Sequence, residues 1–141
     1  MDELKFAVIG NPVSHSLSPD IHLFFASQFQ LERYTYNKIK SNENDFERDI
    51  NDFFKNGGVG LNVTVPFKGL AYNLCDELDQ SAGLCKSVNT VLIDSGKLIG
   101  HSTDGQGLID DFLHKEITLE DSKILIIGAG GSAASIISSL L

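Results

Sequence analysis

The chain has 141 residues, 42% of them hydrophobic and 21% charged, the balance of a globular domain with a packed core, long enough for one ordinary domain and short for two. A formal charge of −8, from 19 acidic and 11 basic residues with no Lys/Arg cluster, argues against nucleic acid or an anionic membrane as partner, although a few local donors can still hold a small anion. Cys75 and Cys85 make neither a disulfide framework nor a C-x-x-C pair, and neither a signal-peptide h-region nor an apolar run of roughly 20 residues is present. A cytoplasmic protein with buried, reduced thiols is the expectation.

The predicted elements alternate between short apolar runs and amphipathic stretches. Phe6-Ala7-Val8-Ile9 reads as a buried strand ended by Gly10-Asn11-Pro12. A polar loop leads to a helix with Ser18 as N-cap and Pro19 in its first turn, expected to bury Ile21, Phe24, Phe25 and Phe29 on one face. Arg33 to Ile39 alternates as a strand. Asn44 to Lys55 has Phe46, Ile50, Phe53 and Phe54 at helical spacing and is stopped by Asn56-Gly57-Gly58. Val59 to Val65 is a third strand, closed by Pro66, and short helices are expected at Gly69–Leu74 and Leu78–Cys85. Val88–Ile93 and Leu98–His101 flank Asp94-Ser95-Gly96 as a hairpin that would add an antiparallel strand near an edge. Asp104–Leu113 is amphipathic, Lys115–Asp121 is a charged connector, and Lys123–Ile127 is a last apolar strand before a helix. The fold class expected is α/β: a mostly parallel open sheet with flanking helices, followed by the first strand-turn-helix of a Rossmann-like domain. The division falls at 1–103 and 104–141, with the second part incomplete.

Four stretches carry chemistry. Gly128-Ala129-Gly130-Gly131-Ser132-Ala133 fits the dinucleotide fingerprint in its strand-turn-helix setting: Gly128 for the tight turn, Gly130 for close approach of backbone to pyrophosphate, and Ala133 for packing. A ligand-free glycine turn is the ordinary alternative, and the residue about 20 positions on that reports cofactor preference lies past Leu141. Asn62-Val63-Thr64-Val65-Pro66-Phe67-Lys68 places Asn62 and Thr64 on one side of a strand, with Lys68 beyond its end, where ligands bind in open α/β sheets. A half-exposed strand ending in a solvated lysine fits the same spacing. Ser16 and Ser18, beside a helix N-terminus, can receive a carboxylate or merely cap, and His15 reads as a structural histidine. Asp104, after His101-Ser102-Thr103, can cap the next helix or face a cleft. The Ser87-Val88-Asn89-Thr90 stretch belongs with it.

Together these segments resemble the shikimate dehydrogenase family: Gly10-Asn11-Pro12 with Ser16-Leu17-Ser18-Pro19, Asn62 through Lys68, Val88-Asn89-Thr90, Ser102-Thr103-Asp104-Gly105 and Gly128 through Ala133, in the family's order along nearly the whole chain. The resemblance implies NADP-dependent reduction of 3-dehydroshikimate to shikimate in aromatic amino-acid biosynthesis. It implies that Ser16 and Ser18 hold the substrate carboxylate and that Asn62, Thr64, Asn89 and Asp104 bind ring hydroxyls. Lys68 would be the acid/base group paired with Asp104, and Gly128, Ala129, Gly130, Gly131 and Ser132 would contact the pyrophosphate of NADP. No metal is implied. The second half of the dinucleotide domain is missing, so a fragment that binds shikimate without turnover is expected, and a quinate or quinate/shikimate dehydrogenase is the alternative within the family. A homodimer is compatible with the sequence, which does not encode oligomeric state legibly.

Overall fold

The computed structural model describes residues 3–140. Its strands are β1 (Leu4–Gly10), β2 (Tyr34–Lys40), β3 (Gly58–Val63), β4 (Glu77–Leu78), β5 (Thr90–Asp94) and β6 (Lys97–His101). Its helices are α1 (Ser18–Gln28), α2 (Phe46–Lys55), α3 (Lys68–Leu74), α4 (Gln80–Cys85), α5 (Asp104–His114) and α6 (Gly131–Leu140). The strands form one sheet in the order β2-β1-β3-β5-β6-β4. β1 runs parallel to both β2 and β3, β5 is antiparallel to β3 and β6, and β4 is parallel to β6. The hairpin lies near one edge, as expected, with only β4, a two-residue strand with no periodic signature, pairing beyond it. Ser95 and Gly96 both have positive φ, 50° and 81°, the primed turn that matches strand twist.

Alternation along β1 and β3 sorts their side chains onto two faces. Ala7, Ile9, Leu61 and Val63 enter the main core with Phe46, Ile50 and Phe54 of α2, Phe67 and Val91. Val8, Val13 and Tyr36 form a smaller cluster on the other face, where α1 lies against β1 and β2. α2 behaves as its spacing predicts. It buries Phe46, Ile50 and Phe54, and the chain leaves it through Gly57 at φ +86°.

Three expectations are overturned. Ile21, Phe24, Phe25 and Phe29 are 48%, 59%, 49% and 76% exposed, and of α1 only Ala26 is buried. Consecutive apolar residues from Leu23 to Ala26 wrap this helix, so no single stripe marks the face that packs. Ser18 is not an N-cap but the first helical residue, preceded by Leu17 without a side-chain cap. Residues 122–129 form no strand, since a strand needs a hydrogen-bonded neighbour and none of the six strands takes one there; Leu125 and Ile127 are 84% and 93% exposed. No helix among the described residues is long and apolar enough to cross a membrane.

Candidate active site

The site lies at the C-terminal ends of β1 and β3, on the face shared with α1, and is built by register. Phe6 stands beside Tyr36 and Gly60, while Asn62 is paired with Thr90 on β5. Tyr36 and Asn62 share a face, and the Tyr36 hydroxyl donates to Asn62 Oδ1 at 2.7 Å. Asn62 Nδ2 donates to Thr90 Oγ1 at 3.2 Å, and Thr90 donates to Asn89 Oδ1 at 3.0 Å. Asn89 Nδ2 donates to Asp104 Oδ1 at 2.8 Å and to Thr103 Oγ1 at 2.9 Å, while the Thr103 N–H donates to Asn89 Oδ1 at 3.1 Å. With both amide ends engaged, Asn89 is held in one orientation.

The chain of bonds ends on an ion pair. Lys68 Nζ is 2.6 Å from Asp104 Oδ2, with side-chain exposures of 14% and 28%. Burial alone would raise the Asp104 pKa. The hydrogen bond and charge of Lys68, with help from Asn89 and Ser135, override it and hold the carboxyl below its ordinary value. Asp104 is the first residue of α5, but Thr103 occupies its cap position. The carboxylate is committed to Lys68 and Asn89, so capping is not its role.

At the other end, Ser16 Oγ donates to Ser18 Oγ at 3.1 Å and accepts from the Ser18 N–H at 3.2 Å. Burial raises the Tyr36 pKa, an effect that Ser18 opposes. The His22 ring stacks on Tyr36 with centroids 4.4 Å apart and the planes at 16°, and burial lowers its pKa. Thus Asn62, Asn89, Asp104 and Lys68, all singled out from sequence, lie on one hydrogen-bonded polar track, and Ser16 and Ser18, singled out likewise, stand at the start of the helix whose His22 stacks on its Tyr36 end. Thr64 stands beside it at the strand end. Its N–H donates to Ile9, and its methyl faces Gly10, where a Cβ would collide with it.

Tyr36, Thr90 and Thr103 bridge the track, and the sequence motifs give none of them a role. The Tyr34-Thr35-Tyr36 alternation is a signal for Tyr36, but its partner is fixed only by the β1–β3 register. His15 is exposed and not a structural histidine. Of the two thiols, Cys85 is buried and Cys75 half-buried, with burial pushing Cys75 up to about 11.

The glycine turn is a separate feature. Gly128 has φ +119°, and a Cβ built on Gly128, Gly130 or Gly131 meets nothing within 4 Å. Gly128, Ala129, Gly130, Gly131 and Ser132 are all exposed at the start of α6. This open, side-chain-free approach to a helix N-terminus fits a pyrophosphate. The helix packs on α4 and α5 rather than on a strand of its own.

Residues 8–91 match the family described as shikimate dehydrogenase substrate binding domain. A shikimate dehydrogenase (NADP(+)) of Acinetobacter baylyi is 43% identical over 137 residues, covering 97% of this chain and 52% of that protein. A shikimate dehydrogenase solved in complex with NADP+ superposes with a TM-score of 0.92 at 34% identity, covering 98% of this chain and 48% of the other. The shikimate 5-dehydrogenase of Thermus thermophilus, solved with NADP(H) and shikimate, gives 0.90 at 32% identity, with 97% and 51% covered. The chain therefore spans about half the length of each relative.

Proposed function

Because the chain belongs to the shikimate dehydrogenase family through its substrate-binding domain, we propose that it carries the substrate side of an enzyme that reduces 3-dehydroshikimate to shikimate with NADPH. The observation that carries this reading is the Lys68–Asp104 pair, 2.6 Å apart, at the end of a polar track that begins at Tyr36, beside the helix that starts at Ser18. Ser16 and Ser18 hold the substrate carboxylate, and Asn62, Thr64, Asn89 and Asp104 bind the ring hydroxyls. When bound, NADPH supplies the hydride, and Gly128, Ala129, Gly130, Gly131 and Ser132 would hold its pyrophosphate. Reduction of a ketone builds negative charge on its oxygen. The Lys68 ammonium stabilises that charge and gives up a proton to it, while Asp104 holds the ammonium in position.

The division between the substrate part (1–103) and the cofactor part (104–141) is supported by the packing of α5 against α6. A cytoplasmic location is supported by the two free thiols. The test is oxidation of shikimate with NADP+ by the full-length protein, followed by absorbance of the reduced cofactor. Lys68→Ala is expected to lower kcat by about 10²–10⁴-fold with a much smaller change in KM. An unchanged kcat would remove Lys68 from the proton transfer. Quinate as a better substrate than shikimate would move the protein to the alternative within the family.

A further inference from the structure

The loop that presents Ser16 and Ser18 is held by a lysine on β2. Asn11 moors its start, with its N–H donating to the Val65 carbonyl at 2.9 Å and its Nδ2 to the Ser41 carbonyl at 3.0 Å. Val13 is buried against Val8 and Tyr36. From Val13 to Ser16 the chain makes a β-turn, closed by the Ser16 N–H donating to the Val13 carbonyl at 3.1 Å, so the Ser14 carbonyl belongs to the turn's central peptide. Lys38 Nζ donates to that carbonyl at 2.6 Å. Lys38 is paired with Val8 and lies two residues past Tyr36, on the face of β2 that α1 covers. It takes part in none of the ion pairs among the described residues. A cavity of about 310 Å³ lies between the turn and the end of β2, lined by Lys38, Lys40 and residues 11–14. On that side Ser14 is therefore supported by the hydrogen bond and not by packing.

The central peptide of a β-turn can point either way, and the two common turn types differ by that flip. The flipped form needs positive φ at the third residue, here His15, and His15 does not have it. An ammonium on the Ser14 carbonyl favours the observed orientation through a charge-assisted hydrogen bond. The chain then reaches Ser16, whose Oγ accepts from the Ser18 N–H. We propose that Lys38 is a positioning residue for the substrate carboxylate: by holding the Ser14 peptide it sets where Ser16 stands relative to Ser18. This rests on the reading of Ser16 and Ser18 as the carboxylate site. Lys68 and Asp104 take no part in the turn, so the effect falls on substrate binding and not on proton transfer.

The experiment compares Lys38→Met, Lys38→Arg and Lys40→Met in the full-length protein, by hydrogen exchange of residues 11–18 without ligand and by steady-state oxidation of shikimate. Lys40→Met removes the same charge from the same face of β2 but leaves the Ser14 hydrogen bond in place. Both lysines are exposed, so all three variants are expected to melt with wild type. Lys38→Met is expected to speed exchange across residues 11–18 and to raise KM about fivefold with kcat unchanged. Lys38→Arg keeps a donor and is expected to restore both. Added to Ser16→Ala, Lys38→Met is expected to raise KM no further, because the tether acts through that hydroxyl. Unchanged exchange in Lys38→Met, an equal rise of KM in Lys40→Met, or losses that add in the double variant would overturn the proposal. The exchange measurement needs no ligand. A wild type that fails to oxidise shikimate would overturn the dehydrogenase reading, and exchange would still decide whether Lys38 holds the turn.

Discussion

Asp104 carries two opposed influences. Burial favours its neutral form, and the neighbouring Lys68 ammonium favours the charged one and prevails, with the carboxyl below its ordinary value. A depressed carboxylate pKa contributes stability that is present above the unfolded value, about pH 4, and disappears as pH falls through the folded value. Asp104→Asn is expected to cost roughly 2 kcal/mol at pH 7, since it leaves Lys68 partly buried without its counter-ion. Urea denaturation repeated from pH 7 down to pH 3 should show wild type converging on the variant. A constant gap across that range would mean the pair adds nothing through charge. Gly10 offers a second residue-scale case. A methyl there meets the Thr64 methyl and lies 3.3 Å from the Val65 carbonyl, so Gly10→Ala must displace the end of β3. A loss of about 1–3 kcal/mol is expected, with shikimate affinity falling more than that of a Gly69→Ala control, where a Cβ meets nothing within 4 Å. Calorimetry on both variants would decide it. Lys68 and Asp104 are legible in the sequence because each lies in a motif whose order along the chain is informative. Tyr36 and Thr90 are not, because hydrogen bonds between residues 26 or 28 positions apart exist only once the strands are in register.

Among the elements, α1 and α2 make an instructive contrast. α2 has one apolar stripe interrupted by Glu47, Asp49 and Asp52, and the stripe faces the sheet. α1 has apolar residues on nearly every side, so its periodicity establishes the helix but not its orientation. The sheet-facing side is instead the one with Ser18, His22 and Ala26, at four-residue spacing, and it is there that α1 meets Tyr36. Ile50→Ala is accordingly expected to cost about 2–5 kcal/mol, and Phe24→Ser, at a residue 59% exposed, to stay within about 0.5 kcal/mol of wild type. Chemical denaturation of both variants checks the assignment, and a large loss at Phe24 would show that α1's outer face is covered in solution. The apolar run at residues 123–127 misleads for a related reason. Composition selects strand-forming residues, but a strand exists only beside another. β4 is invisible for the opposite one, since two residues suffice once β6 offers a free side.

On the scale of the whole molecule, the polar track and the two serines beside it draw on the loop before α1, β2, β3, α3, β5 and the start of α5, so their residues come from both halves of the sheet. A ligand that spans Ser16 and Lys68 would tie these elements together and bind only the folded chain. Ligation of this kind adds RT ln(1 + [L]/Kd), about 2.7 kcal/mol at a hundredfold excess over Kd, which for a chain of this size is on the order of 10 °C in melting temperature. Shikimate is expected to give that shift with this chain by itself. NADP+ is expected to give much less, because the glycine turn is exposed and the segment before it has no neighbouring strand. Ser16→Ala and Lys68→Ala should each reduce the shikimate shift, the first by loosening the carboxylate end and the second by removing the donor at the ring end. Scanning calorimetry over a shikimate series reads all three. If shikimate leaves the melting temperature unchanged while NADP+ raises it, the ligand-competent part of the chain is the glycine turn and the polar track is structural. If both raise it equally, the turn is already organised without a strand beside it. The expected order, shikimate well ahead of NADP+, follows from one physical difference: the track is cross-linked by side-chain hydrogen bonds between strands and helices, and the segment that leads into the turn has no strand beside it.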